Sequence, residues 1–361
     1  MMAYIQWGIN MKRLTKWFIA IDILIAICFF VVYCPIFRKL QNTIIATAID
    51  TKTHDYIAYT FYSEERVQEV IDADKFQPIN ETIDLDEIVI DTKPRDHYDN
   101  EYDEAILTRD PGNEHYKYLK IKVGDYTGHL VAIYDPSEVR ILTSKKFNTT
   151  TDARYGGGQE KVLAMTKRLG ATVGINGGGF VDYGYGSDIP LGYVIKDGKV
   201  IWNKEGGGKG NLIGFTNDNK LLLINATGAE AIEQGMRDAL EFGPFLIVNG
   251  VTPKFNNVVG GYSRAARVAI AQRKDGIVLF LVTEGTHTAG PNMKEVIDTL
   301  VNYGAWNAAN LDGGTSTQLV INNKLINNPK NIYGRKVEGG RSVVTGWGLI
   351  PKTEEKKETT E

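Results

Sequence analysis

The chain has almost no cysteine. Among its 361 residues there are 2, Cys28 and Cys34, and both lie in the most apolar stretch of the sequence. The rest of the chain can therefore form no disulfide, offers no cysteine nucleophile and cannot build a zinc site from thiolates.

An excess of positive charge is also missing. The chain carries 41 Lys and Arg against 44 Asp and Glu, a formal net charge of -3. Nucleic-acid binding depends on a basic surface that faces the phosphates, so we expect no nucleic-acid partner. The histidines, His129 among them, are scattered without the spacing of zinc ligands. No G-x-x-x-x-G-K-[ST] loop is present, which removes support for a nucleotide cofactor.

One long apolar segment lies near the N-terminus. Residues 17–37 are interrupted only by Asp22, and about twenty apolar residues are enough to cross a bilayer as a helix. The flanking basic residues are Lys12, Arg13, Lys16, Arg38 and Lys39. Their bias favours an N-terminus in the cytoplasm. We therefore predict a cytoplasmic segment over 1–16, a transmembrane signal anchor over 17–37, and a single-pass protein of the cell membrane whose main domain is extracytoplasmic.

The segments on either side of the main domain are polar. Residues 38–117 are predicted to be a stalk or linker, since acidic residues dominate 77–112 and 88–90 is its one compact apolar run. We expect this linker to be solvated and to contribute no catalytic group. Residues 351–361 are charged, without a large apolar side chain, and are predicted to be a disordered tail.

Residues 118–350 have the pattern of a folded β-rich domain. Short apolar runs alternate with Gly, Asn and Asp turns, and Asp-Gly pairs at 197–198 and 275–276 are typical of hairpins. Two helices are predicted, over 159–169 and after Pro291. The sequence thus predicts an α+β fold, a mainly antiparallel β domain with a few packed helices, preceded by one N-terminal transmembrane helix.

Two glycine-containing clusters could carry chemistry. Asn176, Gly177, Gly178 and Gly179 follow a strand-like run, where glycines would expose backbone amide donors to a ligand. The alternative is a glycine-rich bend at a strand end. A second cluster combines a carboxylate with glycines and hydroxyls, and its members are Asn310, Asp312, Gly313, Gly314, Ser316 and Thr317. This composition suits a general acid or base, or a hard cation, although an Asx turn would look the same.

Two further groups supply charge. Thr283, Glu284 and His287 come at the end of a predicted strand, where Glu284 is either a cleft residue or merely solvated. Arg267 and Arg341 precede apolar strands, and guanidinium groups match phosphate through paired donors. A surface ion pair is the ordinary alternative for each arginine.

In their order, these clusters resemble the phosphodiester glycosidase family, which includes an N-acetylglucosamine-1-phosphodiester alpha-N-acetylglucosaminidase type and bacterial members described as exopolysaccharide biosynthesis proteins. The resemblance covers residues 129–350. It rests on Asp135-Pro136, residues 175–180 and 243–250, Arg267, Asp275-Gly276, residues 283–285 and 310–314, Asn328-Pro329 and Arg341. One departure is Thr315, which stands where the family commonly has a third glycine after the aspartate.

The resemblance implies hydrolysis of a bond between the anomeric carbon of a sugar and a phosphate oxygen. Asp312 would then be base or nucleophile, Glu284 the second carboxylate, and Arg267 and Arg341 the phosphate ligands. Asn176 and the glycine amides would position the sugar or phosphate. No cofactor is certain, but Asp312, Glu284 and Asn310 could hold Ca²⁺ or Mg²⁺.

Two alternatives remain open from the residues alone. The site could bind an anionic envelope polysaccharide without cutting it, with Tyr183, Tyr185 and Tyr193 as stacking aromatics. It could also be a transferase that passes the glycosyl group to another acceptor. The expected partners are thus a sugar phosphate or envelope polysaccharide, and the membrane.

Overall fold

The computed structural model describes residues 2–49, 55–79, 81–145, 147, 158–182, 189–203, 206–256, 261–331 and 333–352. The chain divides into two compact units, Met1–Asp74 and Lys75–Glu361. The helices of the first unit are α1 (Met2–Tyr33), α2 (Arg38–Ile49), α3 (Asp55–Phe61) and α4 (Glu64–Asp74). Those of the second unit are α5 (Glu101–Leu107), α6 (Val162–Leu169), α7 (Gly228–Glu233) and α8 (Met293–Asn302).

All strands that the structure describes belong to the second unit. They are β1 (Phe76–Gln77), β2 (Tyr116–Val123), β3 (Tyr126–Ile133), β4 (Val139–Thr143), β5 (Glu160–Lys161), β6 (Val173–Asn176), β7 (Val194–Lys196), β8 (Lys199–Trp202), β9 (Gly210–Thr216), β10 (Leu221–Ala226), β11 (Met236–Glu241), β12 (Phe245–Ile247), β13 (Lys254–Phe255), β14 (Val268–Arg273), β15 (Val278–Thr283), β16 (Ala305–Leu311), β17 (Leu319–Ile321), β18 (Lys324–Leu325), β19 (Ser342–Val343) and β20 (Thr345–Leu349).

The first unit begins with an apolar helix that is long enough to cross a membrane. Within α1, Arg13–Tyr33 spans 21 residues with a mean hydropathy of 2.2, and it is the one such segment in the part of the chain that the structure describes. The helix ends at Tyr33, four residues before the predicted end of the anchor, because Pro35 cannot continue the hydrogen-bond ladder. Gln41 of α2 then donates from Nε2 to the Cys34 carbonyl at 2.8 Å and to the Val31 carbonyl at 3.1 Å, which satisfies groups at the helix end.

The second unit is built from antiparallel sheets. A six-stranded sheet has the order β12-β16-β14-β15-β3-β2, and two five-stranded sheets have the orders β18-β17-β6-β20-β4 and β10-β9-β11-β7-β8. Two small sheets pair β1 with β13 and β19 with β5. Every pairing is antiparallel among the described strands. The predicted α+β class with mainly antiparallel strands is therefore confirmed.

The core lies between the sheets, and helices cover their other faces. Along β15, Phe280 and its alternate neighbours join the cluster that all three large sheets share, whereas Leu279 and Leu281 join a cluster with α5 and α8. The opposite faces of the two five-stranded sheets pack against α6 and α7. Burial on both faces explains why β15 reads as a continuous apolar run rather than an alternating one.

Local signals in the sequence explain the turns and helix ends. Asp197 and Gly198 have φ of 50° and 70° between β7 and β8, and Gly276 has φ of 88° between β14 and β15, as expected of hairpin turns. The first predicted helix begins at Val162 rather than 159 and ends at Gly170, whose φ of 71° gives a left-handed cap. The second begins after Asn292, which forms a capping box with Glu295.

The predicted linker over 77–112 differs from the structure. Residues from Lys75 onward belong to the same compact unit as the sheets. Ile88 is 1% exposed, and Ile106 packs under the six-stranded sheet beside α8. Asp103 of α5 pairs with Arg273 of β14 at 2.6 Å. The acidic composition of 77–112 wrongly predicted a solvated segment. The few apolar residues of this segment are widely spaced, and the buried Asp103 carboxylate has a cationic partner in Arg273.

Replacement of Ile88 tests this assignment, because its neighbour Val89 is 70% exposed. Ile88→Ala should lower the free energy of unfolding by about 2–5 kcal/mol, as for a buried core residue, whereas Val89→Ala should change it by less than about 0.5 kcal/mol. Urea unfolding of the two variants in detergent measures both values. Equal and small effects would restore the solvated-linker interpretation.

Candidate active site

Three predicted site residues lie at one edge of the six-stranded sheet. Val268 at the start of β14 pairs with Val282 of β15 and with Leu311 of β16. The strands are antiparallel, so the residue before β14 and the residues after β15 and β16 share that edge. They are Arg267, Glu284 and Asp312. Because β14 separates the two carboxylate-bearing strand ends, their backbones lie two strand spacings, or about 10 Å, apart.

Asn176 holds the loop that contains Asp312. Its side-chain Nδ2 donates to the Asp312 carbonyl at 2.6 Å, and its Oδ1 accepts from the Gln318 N–H at 3.0 Å. The Asp312 N–H donates to the Gly177 carbonyl at 3.0 Å. Asn176 is 1% exposed, and both ends of its amide are engaged by backbone. The structure thus makes Asn176 a positioning residue, where the sequence suggested a direct contact with the substrate.

The glycine run is explained by close packing. The Gly177 N–H donates to the Thr345 carbonyl at 2.9 Å, and the Gly178 N–H donates to Thr345 Oγ1 at 3.1 Å, so neither amide is the exposed donor expected from the sequence. A Cβ on Gly177 would lie 2.7 Å from Leu240 Cδ2, and one on Gly178 would lie 2.9 Å from the Glu241 carbonyl oxygen. Because Gly177 and Gly178 have no side chain, the backbone that follows β6 packs directly against the end of β11.

The loop after Asp312 is also tightly packed. Gly313 approaches the Ala266 carbonyl so closely that a Cβ would lie 2.5 Å from its oxygen. Gly314 has φ of 57°, and its Cβ position is 2.9 Å from His287 Nδ1. Of the predicted hydroxyls, Ser316 and Thr317 are each 1% exposed. His287 therefore lies against Gly314 of the Asp312 loop.

Two buried oxygens near this loop have unused acceptor capacity. Asn310 donates from Nδ2 to the Gly243 carbonyl at 3.1 Å, but its Oδ1 and the Thr317 Oγ1 have no hydrogen-bond partner among the described residues. Unpaired buried oxygens are uncommon in folded proteins. Both atoms are able to accept a hydrogen bond from a ligand or water.

Glu284 ends a chain of hydrogen bonds that the sequence did not reveal. His129 Nε2 lies 3.2 Å from Glu284 Oε1, and His129 Nδ1 lies 2.8 Å from the Tyr118 hydroxyl oxygen. Burial and the Glu284 charge raise the pKa of Tyr118, so this hydroxyl keeps its proton at neutral pH. His129 is 4% exposed, and a histidine inside an apolar strand was the one sequence signal for it.

The Glu284 carboxylate is held in its charged form. Burial acts to raise its pKa, but hydrogen bonds from His129 and from the Asn328 N–H, with the charges of His129 and Lys330, outweigh burial and keep the pKa below its ordinary value. The Asn328 N–H lies 3.0 Å from Oε1 and 3.2 Å from Oε2. At neutral pH, Glu284 is therefore an anion and not a general acid.

Thr283 and the two arginines each have partners within the protein. Thr283 is fully buried, and its Oγ1 accepts from the Arg267 N–H at 2.8 Å, so its role is structural. Arg267 is half-buried and donates from Nη2 to Ser263 Oγ at 3.1 Å. The Arg341 guanidinium pairs with Asp182 and lies 4.9 Å from the Phe180 ring centroid.

Two further expectations concern a metal ion and stacking aromatics. Both Glu284 oxygens accept from the Asn328 N–H, and no three His, Cys, Asp or Glu side chains in the described ranges are grouped closely enough to hold a metal ion. The Ca²⁺ or Mg²⁺ site suggested by the sequence, which includes the amide of Asn310, stays a prediction. Tyr193 is 2% exposed in the core, so it is not a stacking aromatic, and Tyr183 and Tyr185 lie outside the described residues.

Residues 169–350 match the family model described as Phosphodiester glycosidase, and the chain belongs to this family. Glu284, Asp312, Asn176 and both arginines lie inside the matched region, whereas Tyr118 and His129 precede it.

Two curated relatives extend the comparison. The SPbeta prophage-derived uncharacterized protein YomE of Bacillus subtilis (strain 168) is 28% identical over 195 residues, which cover 52% of this chain and 29% of that protein. The N-acetylglucosamine-1-phosphodiester alpha-N-acetylglucosaminidase of Mus musculus is 24% identical over 246 residues, 61% of this chain and 46% of that protein. The chain thus spans less than half the length of these relatives.

A solved structure supports the fold. The catalytic domain of zebrafish N-acetylglucosamine-1-phosphodiester alpha-N-acetylglucosaminidase, auto-inhibited by its pro-peptide, aligns with a TM-score of 0.52 at 22% identity. The alignment covers 66% of this chain and 82% of that one. At this identity the likeness concerns the fold alone.

The lowered pKa of Glu284 has a consequence for stability. A carboxylate whose pKa is lower in the folded state than in the unfolded chain stabilises the fold above its unfolded value, and this contribution is lost as the pH falls through the folded value. The free energy of unfolding of the wild type minus that of Glu284→Gln should therefore be largest at about pH 7 and should decrease as the pH falls through the folded pKa of Glu284, where the carboxyl group becomes neutral.

Urea unfolding across this pH range measures the difference. Glu233→Gln, at an exposed position on α7, is the matched control for the loss of one carboxylate. His129→Gln should reduce the dependence, because it removes a charge that lowers the Glu284 pKa. Parallel curves for the wild type and Glu284→Gln would contradict the assignment.

Proposed function

We propose that this protein hydrolyses a glycosyl-1-phosphodiester, a sugar of the N-acetylglucosamine type whose anomeric carbon is bonded to a phosphate oxygen. The observation that carries the proposal is the common sheet edge of Asp312, Glu284 and Arg267 within a phosphodiester glycosidase fold. The activity in the name of the mouse relative supplies the substrate class. An envelope polymer or exopolysaccharide is the proposed source of the diester.

The two carboxylates take different roles in this scheme. Glu284 is anionic at neutral pH and stabilises the positive charge that develops at the anomeric carbon. Asp312 acts as the base, or as the nucleophile of a two-step route. Its backbone is held on both sides, by Asn176 and by the Gly177 carbonyl, which limits the movement of the side chain.

The phosphate is the leaving group and needs little protonation, because a phosphate monoester is already a stable anion. Arg267 and Arg341 are proposed to bind it through charge-assisted hydrogen bonds. In the direct route the bond from the anomeric carbon to the phosphate oxygen breaks and a bond to a water oxygen forms. The water proton passes to Asp312 and then to solvent.

Substitution of Asp312 tests the proposal. Asp312→Asn should lower release of free sugar from N-acetylglucosamine-1-phosphate diesters by about 10²–10⁴-fold, the usual effect of removing a general base, and Glu284→Gln should also lower it strongly. Asp298→Asn on α8 is the matched control, since Asp298 is an exposed carboxylate paired with Lys294, and it should keep full activity. Sugar release and product identity are measured by chromatography.

The same assay separates the alternatives. Transfer of the sugar to an added glycan in place of water would identify a glycosyl transferase at the same site. Retained binding of anionic envelope polysaccharide with no cleavage of any diester would support a non-catalytic binding protein. Full activity of Asp312→Asn would remove Asp312 from the mechanism.

We also propose that α1 anchors the protein in the cell membrane as a signal anchor, with the second unit extracytoplasmic. Support comes from the length and apolarity of Arg13–Tyr33 and from the basic residues that precede it. The chain is then single-pass, with the site on the outer side of the membrane.

Cysteine labelling tests this orientation. In a background with Cys28 and Cys34 replaced by serine, Tyr333→Cys places a thiol at a position that is 76% exposed. A membrane-impermeant maleimide should label it in intact cells, because the second unit faces outward. Lys16→Cys should be labelled only after lysis. The reverse pattern would invert the topology.

A further inference from the structure

The loop that carries Arg341 has little regular structure of its own. Gly339 and Gly340 directly precede Arg341 with φ of 71° and 81°, a left-handed conformation that glycine adopts without strain. Directly after Arg341 comes β19, a strand of two residues that pairs with the equally short β5. Two glycines beside so short a strand fix the chain only weakly, so the position of Arg341 depends on contacts from elsewhere in the fold.

Gln318 supplies such a contact. Its Nε2 donates to the Arg341 carbonyl at 2.7 Å and to the Ser316 carbonyl at 3.2 Å. Because both partners are carbonyl oxygens, the amide nitrogen must face them, which settles the orientation of the Gln318 amide. Gln318 is fully buried, so water does not compete for these bonds. The Arg341 backbone is thus tied to the residue that precedes β17.

Gly340 makes room for the Gln318 amide. A Cβ on Gly340 would lie 2.1 Å from Gln318 Oε1, so any side chain there would push the amide away. Glycine therefore serves two purposes at this position, the left-handed φ and the close approach of Gln318. The contact between the Arg341 loop and Gln318 depends on both residues.

The same glutamine is linked to the Asp312 loop. The Gln318 N–H donates to Asn176 Oδ1 at 3.0 Å, and Asn176 Nδ2 donates to the Asp312 carbonyl at 2.6 Å. A continuous path through two buried residues therefore runs from the Asp312 backbone to the Arg341 backbone. It joins the loop of the proposed base to the loop of a proposed phosphate ligand.

The Arg341 side chain is connected to the same region and is partly open to solvent. It is 31% exposed, its Nη2 donates to Asp182, and its guanidinium carbon lies 4.9 Å from the Phe180 ring centroid. Phe180 follows the glycine run, whose Gly177 carbonyl accepts from the Asp312 N–H at 3.0 Å. The guanidinium, like the Arg341 backbone, is therefore connected to the segment that contacts Asp312.

We propose that Gln318 is a positioning residue for phosphate binding: its side-chain amide holds the Arg341 backbone so that the guanidinium is in place before the phosphate arrives. An arginine on a loosely held loop would have to be ordered by its ligand, which weakens binding. The proposal rests on the proposed function, in which Arg341 binds the substrate phosphate. Gln318 acts through Arg341 and is not itself a ligand.

Replacement of Gln318 by methionine tests the proposal, because it keeps the length of the side chain and removes the donor to Arg341. In full-length protein in detergent, Gln318→Met should raise KM for an N-acetylglucosamine-1-phosphate diester by about 10-fold, with little change in kcat. The dissociation constant of inorganic phosphate, from a phosphorus NMR titration, should rise by a similar factor. Arg341→Gln gives the effect of losing the guanidinium itself.

Gln272→Met is the matched control. Gln272 is also fully buried, and its Nε2 donates to the Asn219 and Gly276 carbonyls, each at 2.9 Å, near the end of β14 that is remote from Arg267. Both substitutions remove a buried amide, so both should lower the free energy of unfolding in urea. Gln318→Met should weaken phosphate binding and Gln272→Met should not, whereas a purely structural role of Gln318 would leave phosphate affinity unchanged in both.

Gly340→Ala is a second variant that reaches the same contact from the other side. It keeps Gln318 but places a Cβ against Oε1, so it should raise KM and the phosphate dissociation constant in the same direction as Gln318→Met. In the double variant the two effects should be less than additive, because both substitutions break one contact. This variant keeps the test decisive if Gln318→Met does not fold.

The outcomes separate this proposal from the hydrolysis. If no diester is cleaved, weaker phosphate binding by Gln318→Met and Arg341→Gln, with unchanged binding by Gln272→Met, would still support the positioning role. If the wild type cleaves the diester and Arg341→Gln raises KM while folded Gln318→Met and Gly340→Ala do not, the hydrolysis stands and the positioning role is wrong. KM and phosphate affinity that are both unaffected by Arg341→Gln would also overturn it.

Discussion

The side-chain amide of Asn176 joins two sheets at the place where the candidate chemistry lies. One end binds the Asp312 carbonyl and the other binds the Gln318 N–H, so the loop that leaves the six-stranded sheet is fixed to the end of β6. Because these partners are backbone groups, Asn176 holds the path of the chain. Next to this junction, Gly314 packs against His287, and Gly177 and Gly178 pack against the end of β11.

Charge at the site is separated in space. Glu284 is kept anionic by His129 and the Asn328 N–H, in a half-buried position where an unpaired carboxylate would be costly. Arg341 lies beyond the glycine run, against Phe180 and Asp182. The anionic phosphate of the proposed substrate is attracted by the guanidinium and repelled by the Glu284 carboxylate.

The differences between prediction and structure have specific causes. The glycine run was expected to donate amides to a ligand, but Thr345 uses two of them and the glycines are required by the approach of β11. The acidic segment was expected to be solvated, but it packs against the six-stranded sheet through Ile88 and Ile106. Composition averages over a segment, whereas burial depends on where its few apolar residues lie.

The sequence by itself determined the antiparallel class, the hairpins at the Asp-Gly pairs, the apolar N-terminal helix and the identity of the conspicuous carboxylates. These features follow from the hydrophobic periodicity, the turn residues and the length of the apolar segment, which are local properties of the sequence. Only the tertiary structure decided that Asp312 and Glu284 share an edge and that His129 and Tyr118 form a hydrogen-bond chain with Glu284. Such contacts join residues on strands far apart in the chain, and their register is set by the packing of all sheets together.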